Sequence, residues 1–297
     1  MTFDKLCQMS RPDPRRKERF SVKKTVAELE EKARTLRVAI VRALHKSQSG
    51  HTGGSLSAID MVTALYFSKM RHDPANPAWA ERDRFVLSKG HAAPAQYVAL
   101  AEAGYFPRED LMMLRRLGSH LQGHPDSKST PGVEVCTGSL GQGLSMANGM
   151  ALGLRLDGRK SRVYALLGDG ELQEGQVWEA AMAAAHYKID NLCALVDANA
   201  LQIDGEVAKV MNVAPIAAKF RAFGWHALEI DGHDMAAILA ALDHAETVKG
   251  EPTVIVAKTV KGKGVSFFEN KAAYHGVPPS DEELPRALEC LGEQCNL

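Results

Sequence analysis

Four histidines of this chain stand in glycine-rich stretches, not on helical faces. They are His51 in Ser49-Gly50-His51-Thr52-Gly53-Gly54, His91 in Ser88-Lys89-Gly90-His91, His124 in Gly123-His124-Pro125-Asp126, and His275 in Tyr274-His275-Gly276. Imidazole moves protons near neutral pH, and glycine lets a backbone or a ligand come close. A different chemistry is carried by Gly168-Asp169-Gly170 and Asp197-Ala198-Asn199-Ala200-Leu201. The first of these is weak alone, because a strand-to-helix turn often needs glycines. Together they say more. Residues 171–198 give room for one helix and one strand, so Asp169 and Asn199 would end neighbouring strands. A carboxylate, an amide oxygen and a nearby main-chain carbonyl suit a hard cation such as Mg²⁺, which leaves positions for phosphate oxygens and water. The glycines would let the backbone approach those phosphates beside a helix N-terminus.

Those residues must be positioned by the elements around them. From Thr25, Val26, Leu29, Ala33, Leu36, Ile40 and Leu44 recur at helical steps, and a second helix is expected over 56–70. Short apolar runs follow at 84–87, 162–167, 191–196, 225–230 and 253–257, rich in Val, Ile and Leu as strands buried on both faces should be. Helical stretches at 93–103, 143–156, 173–187, 214–223 and 234–249 lie between them. This alternation predicts an α/β fold, a doubly wound and mainly parallel sheet with helices on both faces. Ligands of such sheets sit outside the carboxyl ends of the strands, and the unusual residues do follow the apolar runs. The expected organisation is an extension over 1–24 and one α/β domain over 25–297 with a loop-rich C-terminal tail.

Composition narrows the class. Lys+Arg and Asp+Glu both number 36 in 297 residues, which argues against nucleic acid as a partner. No apolar run reaches the roughly 20 residues of a membrane span, and residues 1–8 lack the pattern of a secretory signal. The five cysteines, Cys7, Cys136, Cys193, Cys290 and Cys295, lack metal spacing and read as free thiols in a reducing compartment. A soluble cytoplasmic protein is expected. The basic stretch 11–24 reads as a solvated extension. His45, His72, His120, His186, His226, His233 and His244 read as surface or satisfied residues, the turn at His233 being explained by Gly232 and by Asp234 as a helix N-cap. Lys261-Gly262-Lys263-Gly264 lacks the Walker spacing and reads as a mobile loop near a cofactor.

Taken in order, these stretches resemble the transketolase family. The pairing of Gly168-Asp169-Gly170 with Asn199 is similar to the thiamine-diphosphate motif, and the blocks around His51, His91, His124 and His275 resemble the family's histidine blocks. Thr137-Gly138-Ser139-Leu140-Gly141-Gln142-Gly143 resembles its TGxLGQG loop; Ser139 stands where full-length enzymes commonly carry Pro, a minor change if that loop acts through its main chain. The likeness runs from about residue 30 to residue 280. Full-length transketolases are about twice this long, and nothing here matches their glutamate that activates the aminopyrimidine or their arginines that hold a sugar phosphate. The resemblance is therefore to the N-terminal subunit of a split transketolase.

That resemblance implies thiamine diphosphate and Mg²⁺ (or another divalent cation such as Ca²⁺) as cofactors. It also implies that the partner is a separate C-terminal subunit, in a heterotetramer with two copies of each chain. The reaction would move a two-carbon ketol unit from a ketose, expected to be phosphorylated, to an aldose. His51 and His275 would serve proton abstraction from the donor's 3-hydroxyl, His124 would bond its 1-hydroxyl, and His91 would lie between cofactor and substrate. Gly138, Ser139, Leu140, Gly168, Gly170, Glu174, Asn199, His91 and His275 would contact the cofactor; Asp169, Asn199 and the Leu201 carbonyl would hold the metal. Glu174 has two readings: a carboxylate favouring a helix N-terminus, or by resemblance a member of a carboxylate network joining two active sites. Two rivals stay open. Gly175 to Ala180 faintly resembles the alpha subunit of a 2-oxo acid dehydrogenase, alongside which stands a deoxyxylulose-phosphate-synthase-like protein, and a non-catalytic homologue would keep the fold alone.

Overall fold

The computed structural model describes residues 24–293. The extension read over 1–24 lies, but for Lys24, outside the described residues, as do Cys7 and Cys295. Helix α1 (Val26–Ser47) opens with a capping box: Thr25 Oγ1 accepts from the Glu28 amide, and the Glu28 carboxylate accepts from the Thr25 amide at 2.7 Å. It buries Leu29, Ala33, Leu36, Ile40 and Leu44, the face its periodicity predicts, while Val26 in the first turn stays exposed. Helix α2 (Thr52–Ala64) is buried all round. It starts at Thr52, not at 56, taking in Gly53 and Gly54, and its continuation Leu65–Lys69 is wound as a π-helix. Glycines are poor helix formers, so the first turn is set by burial against the rest of the protein.

The strands β1 (Arg84–Leu87), β2 (Val163–Gly168), β3 (Leu192–Ala198), β6 (His226–Asp231) and β7 (Thr253–Lys258) form one sheet in the order β1-β2-β3-β7-β6, every pair parallel. All five match the apolar runs within a residue or two. Two further strands, β4 (Leu201–Gln202) and β5 (Gly205–Glu206), make a small antiparallel hairpin that has no counterpart in the sequence reading.

Alternate residues of the central strands feed two cores. Tyr164, Leu166, Cys193 and Leu195 face α1, α2, α3 (Ala93–Ala103) and α8 (Met235–Thr247). Val163, Ala165, Leu167 and Ala194 face α4 (Gln142–Leu156), α5 (Gly175–His186) and α7 (Ile216–Ala222). A short α6 (Val207–Val210) follows the hairpin. The period-2 geometry of a strand is what turns an unbroken apolar run into two packed faces.

The tail is less loop-like than expected. Helix α9 (Glu283–Cys290) buries Ala287 and Leu288 in the core that contains α1. Its signal was present in Leu284, Ala287, Leu288 and Leu291 at helical spacing.

The carboxyl ends of β1, β2, β3 and β7 converge with the loop 137–141 and the start of α2. Approach there is tight: a Cβ on Gly90 would lie 2.6 Å from the Gly138 amide nitrogen and 2.7 Å from Thr137 Oγ1. Forcing a methyl into such a contact costs about 1–3 kcal/mol. Gly90→Ala is therefore expected to lower the unfolding free energy by that amount, read as a lower urea midpoint at an unchanged m-value; a midpoint equal to wild type would mean that the loop yields freely.

Candidate active site

The four glycine-flanked histidines, far apart in sequence, meet in one place. His51 is the N-cap residue of α2, His91 lies in the 3₁₀ turn after β1, His124 in the loop before Gly138, and His275 just after a 3₁₀ turn of the tail. The His51 ring centroid is 5.2 Å from that of His91, 5.4 Å from His275 and 6.2 Å from His124; His91 and His275 stack at 5.0 Å. Burial holds His51 down to about 4 and His275 to about 3, with nearby cations adding to the effect. His91 is pushed well below the ordinary imidazole value by burial and by Lys89, and His124 is lowered by burial and by Arg115. All four are neutral at pH 7 and therefore able to accept a proton. His51 Nδ1 is buried without a hydrogen-bond partner.

Beside them, Asp169 and Asn199 follow neighbouring strands, whose register pairs Gly168 with Asp197. Asp169 Oδ1 accepts from the Gly170 amide at 2.8 Å and Oδ2 from the Ala200 amide at 2.5 Å. Burial, and Asp197 next to it, raise Asp169 to about 6. Asn199 donates through Nδ2 to Asp197 Oδ2 at 3.2 Å, which fixes which end of its amide carries the oxygen.

Underneath lies a cluster absent from the sequence reading. Asp197 is fully buried and accepts from the Lys89 ammonium, Ser57 Oγ, Thr259 Oγ1 and Asn199 Nδ2. Burial by itself would raise its pKa; Lys89 and the other donors outweigh that and hold it below the usual carboxylate value.

Lys261 is also buried. It donates to the Leu201 carbonyl at 3.0 Å and to His275 Nδ1 at 2.7 Å, and burial pulls its ammonium down to about 8. The expectation of a mobile loop here does not describe Lys261, which is 2% exposed.

A family model described as transketolase, thiamine diphosphate binding domain, matches residues 29–296. The chain belongs to the transketolase family. It is 46% identical over 261 residues to the 6-deoxy-6-sulfo-D-fructose transketolase subunit SqwG of Clostridium sp. (strain MSTE9), covering 88% of this chain and 95% of that protein. It is 41% identical over 269 residues to an apulose-4-phosphate transketolase subunit of Phocaeicola vulgatus, covering 91% and 95%. The transketolase of Campylobacter jejuni superposes with a TM-score of 0.86 at 36% identity, over 92% of this chain and 44% of that one. The chain thus spans less than half of that solved transketolase and nearly all of the two named subunits.

The site fits the cofactor of a transketolase. Asp169 is a buried carboxylate with no ion-pair partner among the described residues, so it offers a place for a cation, with the Asn199 amide oxygen and the Leu201 carbonyl close by. Only one of those three is a carboxylate, and no group of three His, Cys, Asp or Glu able to hold a metal occurs among the described residues. Lys261 supplies a buried cation on the same side, suited to an anionic diphosphate. Gly138 comes against the His124 ring, where a Cβ would lie 3.0 Å from Cγ. Ser139 is exposed and Leu140 half-buried.

Glu174 stands apart. It is exposed, is the N-cap residue of α5 without a side-chain capping bond, and packs against Gly141. The capping reading is therefore not realised through a hydrogen bond. His233 is a structural residue, bonded through Nδ1 to Asp60 and accepting the Val260 amide at Nε2, while Asp234 does cap α8. Lys89 and Asp197 lay inside stretches already singled out, one before Gly90-His91 and the other at the head of Asp197-Ala198-Asn199. Nothing in sequence tells that the two meet.

The depressed histidines have a consequence for stability. Their folded-state values lie below the ordinary imidazole value of about 6.5, so their contribution is complete above that pH and is lost as pH falls through the folded values. The Tm of the cofactor-free chain is expected to drop as pH falls from about 6.5 through about 4. A His51→Asn, His275→Asn double variant should drop less steeply; equal slopes would show that these rings titrate normally.

Proposed function

We propose that this chain is the diphosphate- and metal-binding subunit of a two-chain transketolase, working with a separate C-terminal subunit in a heterotetramer of two copies each. The observation that carries this reading is the convergence of four neutral, glycine-flanked histidines beside Asp169 and Asn199. The reaction is transfer of a two-carbon ketol unit from a ketose to an aldose. Thiamine diphosphate, when bound, supplies the electron sink for that fragment.

The chain's own residues bind and handle protons. Asp169, Asn199 and the Leu201 carbonyl would hold Mg²⁺, or Ca²⁺ in its place. The main chain at Gly168 and Gly170, with Lys261, would meet the diphosphate, and Gly138, Ser139 and Leu140 would line the cofactor. His51 and His275, neutral and 5.4 Å apart, would take the proton of the donor's 3-hydroxyl. His124 would bond the 1-hydroxyl, and His91 would sit between cofactor and sugar. Glu174, exposed at the α4–α5 surface, fits the carboxylate network between two copies better than a direct cofactor contact.

The named relatives act, by their names, on a sulfonated and on a phosphorylated sugar. An anionic sugar is thus the substrate class to try first, in pentose-phosphate or more specialised sugar metabolism in the cytoplasm. A 2-oxo acid substrate has in its favour only the faint likeness of Gly175 to Ala180, which does not account for the stretches around His51, His124 and His275.

The test is ketol transfer from xylulose 5-phosphate to ribose 5-phosphate, with thiamine diphosphate and Mg²⁺, by this chain alone and with its C-terminal partner. Activity with the partner only is expected. Turnover of pyruvate in place of the ketose would overturn the reading. In the same assembly Asp169→Ala should weaken Mg²⁺-dependent cofactor binding, measured by quenching of protein fluorescence, by at least about tenfold, as expected for loss of a charged ligand. Unchanged binding would remove Asp169 from the metal site.

A further inference from the structure

Arg115 is the one arginine of the described residues whose guanidinium has no partner among them. Thirteen others occur between residues 24 and 293. Each of these meets a carboxylate, a main-chain carbonyl or an aromatic ring: Arg116, its neighbour, donates to the Lys46 carbonyl at 2.8 Å, and Arg286 lies over the Phe267 ring. No carboxylate comes within 4.0 Å of Arg115 among the described residues, and its side chain makes no hydrogen bond there. A half-buried guanidinium carries five donors and is weakly hydrated, so it is matched to acceptors from outside.

The backbone holds that group in place. Arg115 has φ 59°, in the left-handed region that a side-chain-bearing residue seldom adopts, and its amide donates to the Leu121 carbonyl at 2.8 Å. The guanidinium lies against Gly123: a Cβ there would stand 2.6 Å from Nη2 and 2.8 Å from Nε. On its other side, a Cβ on Gly50 would be 3.7 Å from Nη1. Gly50 and Gly123 are the residues immediately before His51 and His124. Gly123 therefore leaves open the slot that holds the guanidinium, Gly50 lies at ordinary contact distance from it, and the charge is felt by both rings, on which burial acts more strongly. His51 Nδ1 is buried and has no hydrogen-bond partner among the described residues.

We propose that Arg115 is a substrate-binding residue of this chain, donating to oxygens of the ketose beside His51 and His124. The proposal rests on the ketol-transfer reading and adds to it a cationic, fork-shaped contact on the diphosphate-binding subunit, at the reacting end of the sugar. A guanidinium engages two oxygens at once, which an ammonium does not. It also keeps a positive charge next to the two imidazoles, favouring their proton-accepting form. The other charged or titratable groups around His51 are Lys261, Lys89, His91, His124 and His275.

The experiment uses the reconstituted two-chain enzyme with thiamine diphosphate and Mg²⁺, in wild type, Arg115→Met and Arg115→Lys. Expected in Arg115→Met is a rise in donor KM of at least about tenfold, with cofactor affinity, Tm and acceptor KM unchanged. The acid limb of its kcat/KM profile should move to higher pH, because the imidazoles then take up protons more readily. Arg115→Lys should keep the acid limb and still show a raised donor KM, because it restores the charge but not the fork. If Arg115→Met does not fold, the donor KM of Arg115→Lys decides alone.

A donor KM unchanged in both variants would overturn the proposal. So would weakened partner assembly or cofactor binding at unchanged donor KM, which would make Arg115 a brace for the loop or a mate for a partner carboxylate. A wild-type enzyme silent on every ketose would overturn the ketol-transfer reading and this proposal with it; an active wild type matched by Arg115→Met overturns the proposal alone.

Discussion

The buried pair of Asp197 and Lys89 is the constraint around which the site is arranged. Two charges removed from water cost several kcal/mol each, and their attraction offsets that only with good geometry and further hydrogen bonds. Asp197 obtains those bonds from Ser57 of α2, Thr259 after β7 and Asn199 after β3, while Lys89 comes from the end of β1. Four segments are thereby tied to one carboxylate. Removing either charged partner would strand the other, a loss of about 3–5 kcal/mol in comparable pairs.

Above this pair the site divides by charge. Asn199 is oriented by its bond to Asp197, and its oxygen, which accepts from the Leu201 amide at 3.1 Å, keeps a second lone pair on the side of Asp169. Lys261, on the far side of the Leu201 carbonyl, is a cation held in a poorly solvated place. The buried carboxylate of Asp169 and the buried ammonium of Lys261 thus place opposite charges within one site. The histidines adjoin that cation through His275, in an environment that keeps them neutral.

Two polar groups of the site are left without partners. The buried His51 Nδ1 and the half-buried Arg115 guanidinium lack partners among the described residues. The chain covers less than half of a solved transketolase and nearly all of two transketolase subunits.

Much of this was legible from residues alone. The five strands were readable because doubly buried strands need unbroken apolar runs, and the histidine, glycine and aspartate stretches because their residue types are costly anywhere but at a turn or a site. The start of α2 was not, since Gly53 and Gly54 oppose helix locally and only burial makes them helical; nor was the β4–β5 hairpin, whose two-residue strands carry no period. Lys261 was misjudged for a related reason, because a Lys-Gly-Lys-Gly stretch looks solvated until the fold buries one of its lysines. The sequence alone determined which groups could do chemistry and which layers would carry them. Tertiary structure decided which of them meet: that Lys89 finds Asp197, that Lys261 finds His275, and that Arg115 finds no partner among the described residues. Those pairings depend on distances between segments far apart in the chain, and on burial, which no local pattern encodes.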